Sequence, residues 1–174
     1  RGVYAPSELR EGPVPTLKLR GRTVASLNRA SLLWHNEQGN YYFDANTKWA
    51  RQTDVDRLEQ MIPTPSEFSE PTYYILEELN VAKALYFESE MMHHCVHSYV
   101  GECYAGRSSI WSLRLQHGKQ KYPLATIELH NERRTIVQIR ARRNENPPPH
   151  NMELIEGWAK ENGLKIADDA VWDD

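Results

Sequence analysis

The sequence is short of the features that announce a function. It has 2 cysteines in 174 residues, too few for the disulfide framework of a small secreted domain, and a reducing, cytoplasmic setting is expected. No run reaches the roughly 18 apolar residues that cross a bilayer as a helix, so no membrane partner is expected. The amino end carries no apolar segment of the signal-peptide kind. It opens on Arg1 and not on Met, which fits a piece of a longer chain. Charge of neither sign dominates. The net charge is -3, and whole-molecule electrostatics makes no case for DNA, RNA or an acidic lipid surface. Internal repeats and low-complexity tracts are missing. So is the ordered pairing of a Cys-x-x-Cys with a His-x-x-x-His element that marks a zinc finger.

What remains is ordinary in bulk and patterned in detail. Hydrophobic content of 40% and charged content of 26% describe one globular domain with a sizeable core. Residues 1–15, with Pro6, Pro13 and Pro15, read as an extended arm. Leu17, Leu19, Val24 and Leu27 suit a first strand or hairpin around Gly21. Leu32-Leu33-Trp34 and Tyr41-Tyr42-Phe43 flank a Gly/Asn turn and predict a β-hairpin. Thr53, followed by acidic Asp54 and Asp56, predicts a helix that runs to Ile62 and stops at Pro63. Residues 73–79 fit a short strand or a helix equally. Asn80 then suits the cap of a helix whose apolar stripe is Val81, Ala84, Leu85, Met91, Met92 and Cys95, and Glu88 falls on that stripe. A second helical segment is expected from Cys95 or Val96 to Tyr104, ended by Gly106.

Beyond Gly106 the period changes to two. Trp111, Leu113 and Leu115 oppose Ile110, Ser112 and Arg114. Ala125, Ile127 and Leu129 oppose Leu124, Thr126, Glu128 and His130, and Val137, Ile139 and Ala141 oppose Ile136, Gln138, Arg140 and Arg142. Three antiparallel strands are expected, with turns at Gly118 and Asn131. A Pro-rich connector follows at 146–149, then a helix over 152–162 carrying Leu154, Ile155, Trp158 and Ala159. The acidic residues 168–174 are expected to fray. The fold class is α+β: an antiparallel β-meander packed against central helices and a C-terminal helix, with a β-hairpin-containing N-terminal segment.

Chemistry concentrates at residues 88–99, where three of the seven histidines and one of the two cysteines fall within five residues. Cys95 beside His94 or His97 could be a thiolate nucleophile, or simply a small buried hydrophobe. His93, His94, Cys95, His97 and Cys103 are residue types that zinc favours, in a loose arrangement. Arg133, Arg134, Arg140, Arg142 and Arg143 gather around the last hairpin. They could meet phosphates, or form a solvated strand face with Glu128 pairing to Arg114 or Arg140.

Ser112, Arg114, Thr126, Glu128, Gln138 and Arg140 share one strand face. If the 88–99 segment crosses it, that face becomes the floor of a pocket. Glu88 would then be a buried partner for an arginine, Arg114 or Arg140 a holder of phosphate or carboxylate, Glu128 an acid or base, and His94 a proton shuttle. The alternative is a buried polar network that only locks helix to sheet.

The stretch from about Leu79 to Leu164 resembles the PcfJ-like domain family of bacteria, conjugative plasmids and phages. The resemblance rests on Leu85, Glu88, Met92, His94-Cys95-Val96, Tyr99, Gly106, Ile110 and Ser112-Leu113-Arg114. It continues through Thr126-Ile127-Glu128, Gln138, Arg140, Asn144, the Pro-rich connector and the Trp158 helix. Ser89 and Ala141 stand where glycine is expected. The resemblance implies a domain family and not a reaction. It divides the chain into an N-terminal scaffold (1–66), a PcfJ-like domain (67–167) and an acidic tail (168–174). The function expected is that of a bacterial or mobile-element protein acting on or alongside nucleic acid through a polar pocket. His94, Cys95 and Glu128 are its candidate catalytic residues. Glu88, Tyr99, Ser112, Arg114, Thr126, Gln138, Arg140 and Asn144 are its candidate ligand-binding residues. No cofactor is singled out. The expected partner is nucleic acid or a phosphate-bearing ligand, or else another protein or the rest of a longer chain. Two alternatives stand beside it: a non-enzymatic protein-interaction module, including a phage or plasmid factor that inhibits a host protein, and a zinc-stabilised binding module.

Overall fold

The period-two pattern folds as a sheet, and the sheet is larger than a three-stranded meander. The computed structural model describes residues 43–63 and 70–171. Six strands lie in chain order: β1 (Leu58–Ile62), β2 (Thr72–Glu78), β3 (Ser108–His117), β4 (Gln120–His130), β5 (Thr135–Arg140) and β6 (Lys165–Ile166). β1 to β5 pair antiparallel, and β6 runs parallel to β5. The expected arm, the Gly21 hairpin and the 32–43 hairpin lie outside the described residues, apart from Phe43.

Of residues 73–79, which fit strand or helix from sequence, 73–78 belong to strand β2 and Leu79 follows it. The helix expected from Thr53 to Ile62 does not form; residues 58–62 are strand β1, registered from Leu58 opposite Leu76 to Ile62 opposite Thr72. Local helix preference is weak, and a ladder of backbone bonds to β2 overrides it.

The apolar sheet face meets a helix. Trp111, Leu113, Ala125, Ile127, Leu129, Ile136 and Ile139 bury themselves with Ile155, Trp158 and Ala159 of the C-terminal helix, Pro149–Glu161. The Trp111 and Trp158 rings sit 5.0 Å apart at a 52° tilt. The indole N–H of Trp158 donates to the Asp56 carbonyl at 2.7 Å, so its polar edge is satisfied. Each such fully buried large side chain contributes about 1.5–3 kcal/mol. That helix starts earlier than expected because Pro149, with its fixed φ, occupies its first turn.

Strict alternation fails at two places. The register shifts between Leu113 and Arg114, so that Pro123 faces Arg114 and Leu124 is skipped. It shifts again between Glu128 and Leu129, skipping Val137 and turning Ile136 to the same core as Ile139. Bulges of this kind accommodate a proline in an inner strand and re-aim the side chains beside them. Gln138 and Arg140 keep their places opposite Glu128 and Thr126.

Helix α1 (Ala82–Met92), a 3-10 turn (Val96–Tyr99) and helix α2 (Val100–Tyr104) cover the other face; the C-terminal helix is α3. Leu79, Ala82, Leu85, Val96, Val100, Cys103 and Ile110 form a second core there with Trp49. Asn80 is not the cap of α1: Val81 holds the N-cap position without a side-chain bond. The carbonyls of Thr47 and Ala45 accept from the N–H groups of Ala82 and Lys83 instead, so neighbouring backbone satisfies the helix start. The buried stripe is Ala82, Leu85, Glu88, Ser89 and Met92, with Met91 turned outward. The second helical segment ends as expected, with Gly106 at φ +75.

The carboxyl-terminal residues do not all fray. Ala170 is fully buried and its carbonyl accepts from the N–H of Ile139 at 2.8 Å. Residues 172–174 lie outside the described residues. Among the described residues no helix is long and apolar enough to cross a membrane.

Candidate functional site

The site is set by the way α1 ends. His93 adopts a left-handed conformation, φ 54 and ψ 46, as the C-cap, and the chain turns so that His93 faces out and His94 faces in. Ser89 holds this turn. Its hydroxyl donates to the His94 carbonyl and lies 2.8 Å from His97 Nδ1. A hydroxyl has one hydrogen, so Ser89 accepts from His97. Ser89, a small residue, thus has a structural task. Outside, Arg142 donates to His93 Nε2 at 2.7 Å and ties the helix end to the turn after β5.

Inside, the polar sheet face divides in two. Glu88, fully buried on α1, accepts at Oε1 from Ser112 (2.7 Å) and Thr126 (2.8 Å), and at Oε2 from Arg114 (2.9 Å). Arg114 also donates to Ser112 at 3.0 Å and to Glu77 at 3.1 Å, and Lys121 closes on Glu77 at 2.8 Å. His94 Nε2 lies 2.9 Å from Thr126 Oγ1. Thr126 spends its hydrogen on Glu88, so the proton in the His94–Thr126 bond belongs to the imidazole. Burial pulls the His94 pKa down to about 4, helped by its histidine neighbours His97 and His93, and the ring is neutral at pH 7. This half is a paired network joining helix to sheet.

The other half borders a cavity of about 260 Å³. Cys95, Val96, Ser98 and Tyr99 form one wall; Thr126, Glu128, Gln138 and Arg140 form the floor; His94, Ile110 and Asn144 complete the lining. Glu128 accepts from Ser108 at 3.0 Å. Burial first, and then the Glu128 carboxylate beside it, raises the Tyr99 pKa. Arg140 is 7% exposed and donates through NH1 to the carbonyls of Ile139 (2.7 Å) and Ala170 (2.8 Å), so the docked carboxyl-terminal segment helps to fix it. Burial lowers its pKa. Asn144 reaches the rim from a turn in which Arg143 and Asn144 both have left-handed backbone, φ 60 and φ 63, a conformation asparagine tolerates better than most residues.

Every candidate ligand-binding residue therefore lies on one of these two halves, with Glu88, Ser112 and Arg114 on the paired side and Tyr99, Gln138, Arg140 and Asn144 on the open side. Thr126 and His94 join them. Cys95 lines the cavity half-buried, and burial raises its thiol pKa, the reverse of what an activated thiolate needs. The residues grouped as zinc ligands are dispersed: Cys103 is in the apolar core, its thiol pushed up to about 12 chiefly by burial. His93, His94 and His97 each bond elsewhere. Among the described residues no three His, Cys, Asp or Glu side chains could share a metal. Of the arginine cluster, Arg134 pairs with Asp54 at 2.6 Å and with the Asn162 carbonyl at 2.7 Å, while Arg142 and Arg143 are exposed. Sequence reasoning missed Glu77 and Ser108, and it noted Ser89 without assigning it this bonding role. Glu77 faces Ser112 across the β2–β3 ladder, a signal invisible until residues 73–78 are known to be a strand.

The family profile described as PcfJ-like protein matches residues 44–155. It begins well before Leu79 and so includes β1 and the segment that caps α1. No curated protein matches the chain, and no solved structure matches it.

Proposed function

The chain belongs to the PcfJ-like protein family, and from that premise we propose that it acts on or alongside nucleic acid by taking one unit of a single strand into the pocket beside His94-Cys95-Val96. The observation that carries this is the cavity itself, about 260 Å³ and lined by Tyr99, Glu128, Gln138, Arg140 and Asn144. Pockets for drug-sized ligands begin near about 300 Å³; this one suits a single base. Unstacked bases are read by stacking on aromatic rings and by hydrogen bonds to their edges. Tyr99 supplies a ring, while the carboxylate and the two amides supply edge contacts. Arg142 and Arg143, exposed on the turn that carries Asn144, are placed for backbone phosphates outside the pocket. A net charge of -3 disfavours indiscriminate binding to duplex. We read the chain as part of a bacterial or mobile-element protein working in the cytoplasm, with Glu128 and His94 as the groups able to hold or move a proton and Cys95 as wall.

Fluorescence anisotropy with labelled single-stranded and duplex oligonucleotides tests this. Single strands should bind more tightly than duplex, and Gln138→Ala with Asn144→Ala should weaken binding at an unchanged melting temperature. Equal binding to duplex, or an unaffected double variant, would remove the pocket from the interaction.

A protein-interaction role has separate support. Phe87 and Met91, one turn apart on α1, are 48% and 39% exposed, an apolar pair that a host protein or the rest of a longer chain could cover. Phe87→Ser with Met91→Ser should then abolish function in cells while leaving oligonucleotide binding intact; loss of both would deny the surface a separate role.

A further inference from the structure

Resting on the proposal that a base enters this pocket, we infer that the base is guanine and that Glu128 selects it. Among the described residues that line the pocket there is one carboxylate, Glu128, and one guanidinium, Arg140, and the neutral His94 adds no charge. Its interior is therefore balanced, which suits an uncharged ring with hydrogen-bonding edges better than a phosphate. Arg140 NH1 is held by the carbonyls of Ile139 and Ala170, so that part of the guanidinium is anchored in the wall.

The selectivity comes from what a carboxylate can accept. Ionised, it has two oxygens and about four lone-pair sites. Ser108 takes one at 3.0 Å, and the Tyr99 hydroxyl, hydrogen-bonded to the same carboxylate, takes a second. Lone pairs remain for the pocket, and they call for a ligand edge with adjacent N–H donors. Guanine presents two side by side, at N1 and N2, next to the O6 acceptor. Cytosine and adenine each offer an amine beside a bare ring nitrogen, whose lone pair would face the carboxylate. Thymine and uracil offer one N–H flanked by two carbonyls. Guanine alone matches without repulsion. Its O6 then needs a donor, and among the described residues no partner occupies the side-chain amides of Gln138 and Asn144. Gln138 stands directly opposite Glu128 in the β4–β5 ladder, so a donor and an acceptor lie side by side on the pocket floor.

The same edge exists in a free guanine nucleotide and in a strand, and the test separates them. The full chain is titrated with fluorescein-labelled single-stranded DNA carrying one guanine, adenine, cytosine or hypoxanthine in a thymine background, with an all-thymine strand as reference and GMP as competitor. The strand with guanine should bind at least about tenfold more tightly than the others, the range expected of one good bidentate contact. Hypoxanthine, which lacks only the N2 amine, should lose most of that gain. Glu128→Gln, keeping an oxygen for Ser108, should level the preference. GMP competing as well as the strand itself would uphold guanine selection and move the source to a free nucleotide. Binding without base preference, or hypoxanthine equal to guanine, would overturn guanine selection while leaving strand binding standing. No binding to any strand or to GMP would overturn both. The hypoxanthine arm needs no variant, so a poorly folded Glu128→Gln protein would not blunt the result.

Discussion

Glu88 and Glu128 are both carboxylates over the same face of the same sheet, and their surroundings differ in kind. Glu88 has no exposed surface and accepts from Ser112, Thr126 and Arg114. Glu128 is half-buried, accepts from Ser108, and borders a cavity of about 260 Å³. Residue type does not separate them; the element that lies overhead does. Helix α1 runs across Ser112 and Thr126 and closes on them. Past His93 the chain turns to wall the cavity, and the floor continues from Thr126 to Glu128, Gln138 and Arg140 beneath it. A polar sheet face thus serves as a helix-to-sheet lock at one end and as a proposed recognition surface at the other, with His94 and Thr126 at the seam.

The largest effect expected from this contrast is on stability. Glu88→Ala leaves the Arg114 guanidinium without its buried partner and should cost about 3–5 kcal/mol in urea unfolding. A loss under about 1 kcal/mol would mean that α1 is not locked through this carboxylate. Next comes pH. His94 is held near 4 in the fold against an ordinary 6.5. The unfolded chain gains that proton as pH falls below 6.5, whereas the folded one resists until about 4. Stability is therefore full above pH 6.5, declines between 6.5 and 4, and declines no further from this group below that. The amplitude is on the order of 3 kcal/mol, and His94→Gln should flatten the slope in thermal melts across that window. An unchanged slope would place the titration elsewhere.

Smaller effects sharpen the open half. Glu128→Gln should change unfolding free energy by less than about 1 kcal/mol while removing base preference, the opposite of the Glu88→Ala pattern. A large stability loss would make both carboxylates structural. Smallest of all, Cys95→Ser should leave binding and any turnover within about twofold, since the raised thiol is no ready nucleophile. Loss of turnover in that variant would restore the cysteine to catalysis.

Much of this was legible in the chain. Period-two patterning assigned Ser112, Arg114, Thr126, Glu128, Gln138 and Arg140 to one face, and a glutamate on an apolar helix stripe implied an arginine partner. Three things were not legible, each for a physical reason. The residues just before β1 carry local helix-start signals, and the strand form of β1 depends on pairing with β2, beyond the reach of local propensity. The skipped residues Leu124 and Val137 break alternation through register, which no single strand encodes. The division between lock and pocket follows from a left-handed residue at His93, where nothing in residue type demands it; His93 is not glycine. Ala170 docks for a similar reason, since burial of one small residue in an acidic stretch leaves no periodic trace.

The most direct test of the division is an amide NMR titration of the intact chain with a short single-stranded oligonucleotide carrying one guanine. Shifts should concentrate at Tyr99, Gln138, Arg140 and Asn144, with Glu77, Ser112 and Arg114 unmoved. Shifts centred on Glu77 and Arg114, or none at saturating oligonucleotide, would contradict the assignment of recognition to the open half.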